Sequence, residues 1–184
     1  MQPVQRRLLY MLLLIASLIW IFFSADKTGG STSGRIPLPL KGYLAPDFSL
    51  ATPTGKKISL YGLRGQAVLV NIWATWCPPC RAEMPAIEQY YLQYKDQGLM
   101  VLGVNSTVQD NPLDIVPFVN EYNLTFPILL DETGQLGPKY DLRSLPASFF
   151  INRDGTIANV VIGGPMSDAL LRTNIEDIIK SSSN

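Results

Sequence analysis

Histidine is absent from all 184 residues. That absence excludes Ser-His-Asp hydrolases, Cys-His proteases, His-ligated zinc and imidazole acid/base catalysis, because each needs a group titrating near neutrality or a ring nitrogen as ligand. Cysteine is scarce: there are two, enough for one disulfide or dithiol and too few for a four-ligand zinc site without imidazole. Charge of one sign is lacking as well, since 15 Lys and Arg stand against 15 Asp and Glu. Residues 1–30 hold Arg6, Arg7 and Lys27 against Asp26, which leaves 12 basic and 14 acidic side chains beyond them. No polybasic surface for nucleic acid remains.

What is abundant is apolar surface, 47% of residues, and much of it lies at the amino terminus. Gln5-Arg6-Arg7 precedes Leu8 to Phe23, sixteen residues without a charge. As a helix this run covers about 24 Å of a hydrocarbon core of about 30 Å. It has no polar face, unlike a helix of a soluble core. A cleavage site wants small residues at −1 and −3, but Ala25 at −1 places Phe23 at −3, so an uncleaved anchor is expected rather than a signal peptide. Arg6 and Arg7 would keep the amino terminus cytoplasmic and put the rest on the extracytoplasmic side. A flexible stretch, Thr28 to Gly34, and an extended one, Ile36-Pro37-Leu38-Pro39, follow. The expected division is an anchor over 1–25, a linker over 26–44 and one folded domain over 45–184, long enough for a single core.

Within that domain, Asp47 to Leu50 and Lys57 to Leu60 flank the turn signal Thr52-Pro53-Thr54-Gly55 and read as a leading β-hairpin. Val68 to Trp73 is almost continuously apolar, the pattern of a strand covered on both faces. From Arg81 to Gln97, Met84, Ile87, Tyr91 and Tyr94 recur at helical spacing, and Gly98 supplies a stop. Leu99 to Val104 reads as a second buried strand, a helix lies within Asp114 to Tyr122, and Pro127 to Asp131 reads as strand. Ala147–Ile151 and Ile157–Val161 flank Asn152-Arg153-Asp154-Gly155 as an antiparallel hairpin. Ser167 caps a closing helix with Leu170, Leu171, Ile175, Ile178 and Ile179 on one side. Alternating helices and strands predict an α/β sandwich with a partly parallel, mixed sheet.

Both cysteines fall in Trp76-Cys77-Pro78-Pro79-Cys80, between the central strand and the long helix. Two Cys at this spacing can close a disulfide across a first helical turn, whose free N–H groups stabilise a thiolate on the first. Cys77 is therefore the candidate nucleophile and Cys80 the resolving thiol. Pro78 suits the first turn, where its missing N–H costs nothing. A purely structural disulfide would close almost no loop and stabilise little. A two-thiolate copper(I) site is the remaining metal reading, and Arg81 after Cys80 excludes c-type haem attachment.

The string from Asn71 to Pro85, NIWATWCPPCRAEMP, resembles the active-site segment of membrane-anchored thioredoxin-like proteins of the ResA/TlpA/CcmG type. Pro138 to Phe150 resembles the same family's segment with a cis-proline ahead of a strand. The resemblance covers about residues 45–180 and implies a thioredoxin-like three-layer α/β sandwich with an N-terminal β-hairpin and a central helix-strand insert between about Ser106 and Glu132. It assigns acid/base work to Glu83, which shares a helix face with Cys80 and is an available proton acceptor in a chain without His. Asn71 stands where classical thioredoxins carry a buried Asp, and an amide cannot relay a proton. The family often has a second acid near Asn105-Ser106-Thr107; none is present there. The resemblance makes Leu145-Pro146 cis, with the Leu145 backbone free to pair with an extended substrate, and Trp76 and Pro78 join these as substrate-binding candidates. Trp73, on the buried strand, belongs to the core.

The function so implied is an extracytoplasmic, membrane-tethered thiol-disulfide oxidoreductase without cofactor or bound metal. It would reduce protein disulfides, those of apocytochrome c during cytochrome c maturation, and be recharged by a membrane thiol donor of the CcdA or DsbD kind. The alternatives are a disulfide oxidant built from the same parts and a copper(I) chaperone for oxidase assembly. A peroxiredoxin wants Pro and Thr seven and three residues before its Cys, where this chain has Val70 and Ala74.

Overall fold

The computed structural model describes residues 36–181 and, before them, the helical positions Gln5, Met11, Leu13 to Ile15, Ser17 and Trp20. Apart from those positions, the proposed anchor over 8–23 and the flexible stretch over 28–34 lie outside the described residues. Among the described residues no helix is long and apolar enough to cross a membrane.

Seven strands form one mixed sheet. In chain order they are β1 (Ser49–Ala51), β2 (Lys57–Ser59), β3 (Ala67–Trp73), β4 (Leu99–Asn105), β5 (Ile128–Leu130), β6 (Ala147–Ile151) and β7 (Ile157–Ile162). The helices are α1 (Pro78–Tyr94), α2 (Pro112–Glu121), α3 (Leu136–Lys139) and α4 (Asp168–Lys180). Across the sheet the order is β2-β1-β5-β4-β3-β6-β7. The β3–β4 and β4–β5 pairs are parallel, while β1–β2, β1–β5, β3–β6 and β6–β7 are antiparallel. The leading hairpin and the insert of α2 and β5 thus both appear, and β5 carries the insert to the hairpin edge.

The middle strand is β4, and β3, expected at the centre, lies beside it between β4 and β6 with all seven of its residues buried. The alternation of β3 divides the core. Leu69 and Trp73 face a cluster with Met84 and Ile87 of α1, Ile115 and Phe118 of α2, and Ile175 and Ile178 of α4. Val68, Val70 and Ile72 face Phe48, Leu136 and Tyr140 on the other side. Each such aliphatic side chain, fully buried, contributes about 1.5–3 kcal/mol. Trp73 stacks on Phe118 with ring centroids 4.5 Å apart, which seats α2 on this face.

Local chemistry sets the helix ends. Cys77 is the N-cap of α1, with Pro78 in the first turn. The helix therefore begins three residues earlier than the apolar periodicity alone indicates. It runs into a 3₁₀ turn, Lys95–Gln97, and stops at Gly98, whose φ of +89° needs a residue without Cβ. Asn111 caps α2 and Pro112 opens it, two residues before the expected Asp114, and Pro117 lies inside the helix. Ser167 caps α4 by accepting from Leu170 N at 3.3 Å. Leu170 itself is exposed, whereas Leu171, Ile175 and Ile178 are buried, because the apolar stripe starts one residue later than expected.

Residues 26–44, read as linker, meet the described residues from Ile36 onward, and there the chain is bound to the sheet. Pro37 pairs with Leu44 and Leu44 with Thr156. Gly42 N donates to Ile157 O at 2.8 Å, and Ile157 N returns a bond to Tyr43 O at 2.8 Å. At the same end Arg153 donates to the carbonyls of Gly65 and Gln97.

Candidate active site

The sheet brings five segments to its other end. The register pairs Ile72 with Ala147 and Trp73 with Asn105, so the residues following β3, following β4 and preceding β6 emerge together. β7 ends beside them, with Gly163 N donating to Pro146 O at 2.8 Å, and Asp131 N closes the group on Asn105 O at 3.0 Å.

Cys77 and Cys80 are joined by a disulfide with their Cα atoms 5.2 Å apart. Cys77 is 2% exposed and Cys80 fully buried. Cys80 N points at Cys77 Sγ from 3.3 Å. In the reduced protein this N–H and the positive end of α1 favour negative charge on the Cys77 sulfur over that of Cys80, which lies deeper in the helix.

Glu83 lies three residues after Cys80, on the same face of α1, and is 2% exposed. Asn71 Nδ2 donates to its Oε1 at 2.8 Å and Met166 N to its Oε2 at 3.2 Å. Burial pushes the Glu83 carboxyl above its ordinary value, and the two hydrogen bonds offset part of that rise. Asn71 also donates to Ser148 Oγ at 3.0 Å, while its own Oδ1, fully buried, has no partner among the described residues. Asn71, an amide that cannot relay a proton, is thus a hydrogen-bond donor to the carboxylate. Gly164 closes over this pocket. A Cβ there would fall 2.7 Å from Pro146 Cγ and 3.0 Å from Glu83 Oε2, so the absence of a side chain lets the β7–α4 loop approach both.

The Leu145-Pro146 peptide is cis, as the resemblance implied, and so is Gly164-Pro165. Pro146 is buried and Leu145 half-buried. Trp76 is 57% exposed and Pro78 exposed. Trp76 and Leu145 line one groove of about 290 Å³ together with Val108 and Arg143. Of the residues expected to contact substrate, Trp76 and Leu145 thus share a groove, while Pro78 opens the helix next to Cys77 and Pro146 lies buried beneath Gly164. Trp73 is fully buried in the core. Among the described residues no group of three or more His, Cys, Asp or Glu could hold a metal ion.

One acid was missed from sequence. No carboxylate lies at 105–107, but Asp110, at the end of the 3₁₀ turn Thr107–Gln109, folds back onto the active-site turn. It accepts from Thr75 N at 2.6 Å, from Thr75 Oγ1, from Asn105 Nδ2 at 2.7 Å and from Asn111 N at 2.9 Å. Partial burial alone would raise its carboxyl, but these donors outweigh burial and hold it below the ordinary value. Trp76 Nε1 donates to the neighbouring Gln109 O at 2.8 Å. The signal available in the sequence was the Asp-Asn-Pro string itself, an acid beside a helix start that can turn back on the preceding loop.

Comparison with known proteins agrees with this geometry. Residues 42–160 match the model of the AhpC/TSA family. The chain is 42% identical over 124 residues to the thioredoxin-like protein YneN of Bacillus subtilis, covering 67% of this chain and 72% of that one. It is 33% identical over 180 residues to the thiol-disulfide oxidoreductase ResA of Geobacillus thermodenitrificans, covering 96% and 97%. Among solved structures, a Chlorobium tepidum protein described as the thiol:disulfide interchange protein DsbE superposes with a TM-score of 0.71 at 31% identity, covering 78% of this chain and 99% of that one.

Proposed function

This chain belongs to the AhpC/TSA family and is a thiol-disulfide oxidoreductase of the ResA/DsbE type, and we propose that it works as an extracytoplasmic, membrane-tethered reductant of protein disulfides. In this reading residues 8–23 are the anchor and the folded domain lies outside the cytoplasm. The client is a protein such as apocytochrome c, whose haem-binding cysteines must be reduced before ligation, and a membrane dithiol protein of the CcdA or DsbD kind supplies electrons.

The Cys77 thiolate attacks one sulfur of the client disulfide, forming a Cys77–client bond and expelling the other client sulfur as thiolate. Cys80 gives up its proton to the Glu83 carboxylate and attacks Cys77 Sγ. The Cys77–Cys80 disulfide forms and the second client thiolate leaves. Two electrons pass to the client, and a donor dithiol restores the pair by the reverse exchange. Trp76, Pro78, Leu145 and Pro146 hold the client segment beside Cys77.

The observation that carries the reading is the placement of Glu83. It is a carboxylate with a raised proton affinity, buried on the face of Cys80 in a chain that has no imidazole to do the same work. Peroxidase chemistry lacks its Pro and Thr, since Val70 and Ala74 occupy those places. The deciding experiment is the equilibrium reduction potential of the Cys77/Cys80 pair against glutathione and dithiothreitol buffers. A value below about −250 mV supports a reductant. A value near about −120 mV makes the protein an oxidant and overturns the maturation role.

A further inference from the structure

Between Lys95 and Lys139 the sequence has no basic residue. Residues 106–138, which form the insert and its flanks, hold Asp110, Asp114, Glu121, Asp131 and Glu132 and no Lys or Arg. Asp131 is buried and spent on the N–H groups of Gln135 and Leu136. The other four carboxylates lie at or near the surface.

The same insert displays apolar side chains that no described residue covers. Leu113 is 81% exposed and Val116 50% exposed on α2, and Val108 is 54% exposed on the turn before it. Trp76, itself 57% exposed, continues this surface to the disulfide. Between Trp76 and α2 runs a groove of about 350 Å³ edged by Asp114 and Glu121. Its single cation, Arg81, is engaged. It pairs with Glu121 at 2.7 Å and lies over the rings of Phe118 and Tyr122 at 5.2 and 5.3 Å.

We propose that this face of α2 is the docking surface for a cationic polypeptide segment that flanks the client's disulfide, its apolar residues covering Leu113 and Val116 and its Lys or Arg side chains meeting Asp114 and Glu121. The assignment rests on the oxidoreductase reading and specifies its substrate class. Two features select this occupant. The surface is continuous with Trp76 at the disulfide, so a segment lying on it enters the exchange site directly. Its carboxylates outnumber its cations: Arg81 is offset by Glu121, and among the described residues Asp114 has no Lys or Arg partner, so the net negative charge attracts a basic segment and disfavours both an acidic one and a second copy of the same face.

The test uses the reduced full chain in a nonionic detergent and three probes. Two are synthetic peptides, each closed by one internal disulfide, alike except that the flanking residues are Lys in one and Glu in the other. The third is bis(2-hydroxyethyl) disulfide, which is uncharged and too small to reach α2 while reacting. Peptide rates are normalised to those with dithiothreitol, which removes the intrinsic effect of flanking charge on the disulfide.

At about 50 mM salt the Lys peptide is expected to react about tenfold faster than the Glu peptide, and the ratio should fall toward one near 0.5 M, where screening shortens to about 4 Å. Asp114→Asn should lower the ratio and Asp114→Lys lower it further. Leu113→Ser with Val116→Ser should slow both peptides several-fold and leave the small disulfide untouched. Equal normalised peptide rates at low salt, or a preference unchanged in Asp114→Lys, overturn the proposal while the oxidoreductase reading stands. No exchange with the small disulfide overturns both. Self-association that the Leu113/Val116 double variant abolishes, without any peptide preference, assigns the face to a second copy and likewise overturns the proposal.

Discussion

Replacing Glu83 with Gln separates the cost of its burial from its chemistry. Burying a carboxylate costs several kcal/mol after relaxation, and each hydrogen bond to the charged form returns about 1.5–3 kcal/mol. Glu83 has two such bonds, from Asn71 and Met166, and its raised proton affinity means that they do not fully offset burial. Glutamine keeps the shape and removes the charge. One oxygen still accepts from Met166 N, and the new amide N–H₂ can be met by the Asn71 Oδ1, now without a partner, once that amide turns over. Glu83→Gln is therefore expected to be more stable than the parent at pH 7, by about 1–3 kcal/mol.

The pH dependence fixes the sign. A carboxyl raised in the folded state contributes stability that is fully present below its unfolded value, near 4.5, and lost as pH rises through the higher folded value. The two proteins should differ least at pH 4 and progressively more above it. Denaturant melts of the oxidised forms from pH 4 to 8 measure this without thiol titration. Disulfide reduction by the variant should be slower by about 10²-fold at pH 6–7 and regain part of that loss as pH rises and hydroxide replaces the missing proton acceptor. A variant that is less stable at every pH, or one whose pH–rate profile overlies the parent's, refutes the reasoning.

Other variants test other parts of the site. Cys77→Ser should abolish exchange and Cys80→Ser should accumulate a client mixed disulfide at Cys77, both read by mass spectrometry of acid-quenched samples. Asp110→Ala leaves Thr75 N and Asn105 Nδ2 without their acceptor and should cost about 1–3 kcal/mol, measured by denaturant melts at pH 7. Because the Asp110 carboxyl is depressed, its contribution is complete above the unfolded value near 3.8 and disappears as pH falls through the folded one, so the variant and the parent should converge in acid. Gly164→Ala forces a Cβ against Pro146 and Glu83 and should slow client reduction more than it lowers thermal stability, which a paired activity and melting series can show.

Much of this fold was legible because its signals were local. The uninterrupted apolarity of β3, the stop at Gly98, the cap at Ser167 and the Asn152 to Gly155 turn each specify their element by short-range physics, and each element formed within a few residues of the expected place. The short helix α3 was not expected. Four residues with a glycine and a proline have no periodicity to read, and it is held by Asp131 at its start and by burial of Leu136. At the site, the Cys77-Cys80 spacing was visible in one string, whereas the partners of Glu83 were not. Asn71 and Met166, which donate to it, lie 12 and 83 residues away along the chain, and the fold of β3 and of the loop after β7 brings them to it. Asp110 escaped for a related reason: its function depends on a loop reversing direction, which neither its identity nor its spacing from Cys77 encodes.

The bridges from Leu44 to Pro37 and to Thr156 hold position 37 at the β6–β7 turn, at the end of the strands where β3 begins, whereas the disulfide lies where β3 ends. The domain thus has a handle and a tool at opposite poles, separated by a seven-residue strand that spans about 23 Å. Immobilising the protein through a residue near position 36 should leave exchange intact, while attachment near Leu145 should block it. A single working pole also imposes a queue. In the proposed cycle client and electron donor both reach the same nearly buried Cys77 sulfur, so the two would occupy it in turn and steady-state rates should follow parallel-line, ping-pong kinetics.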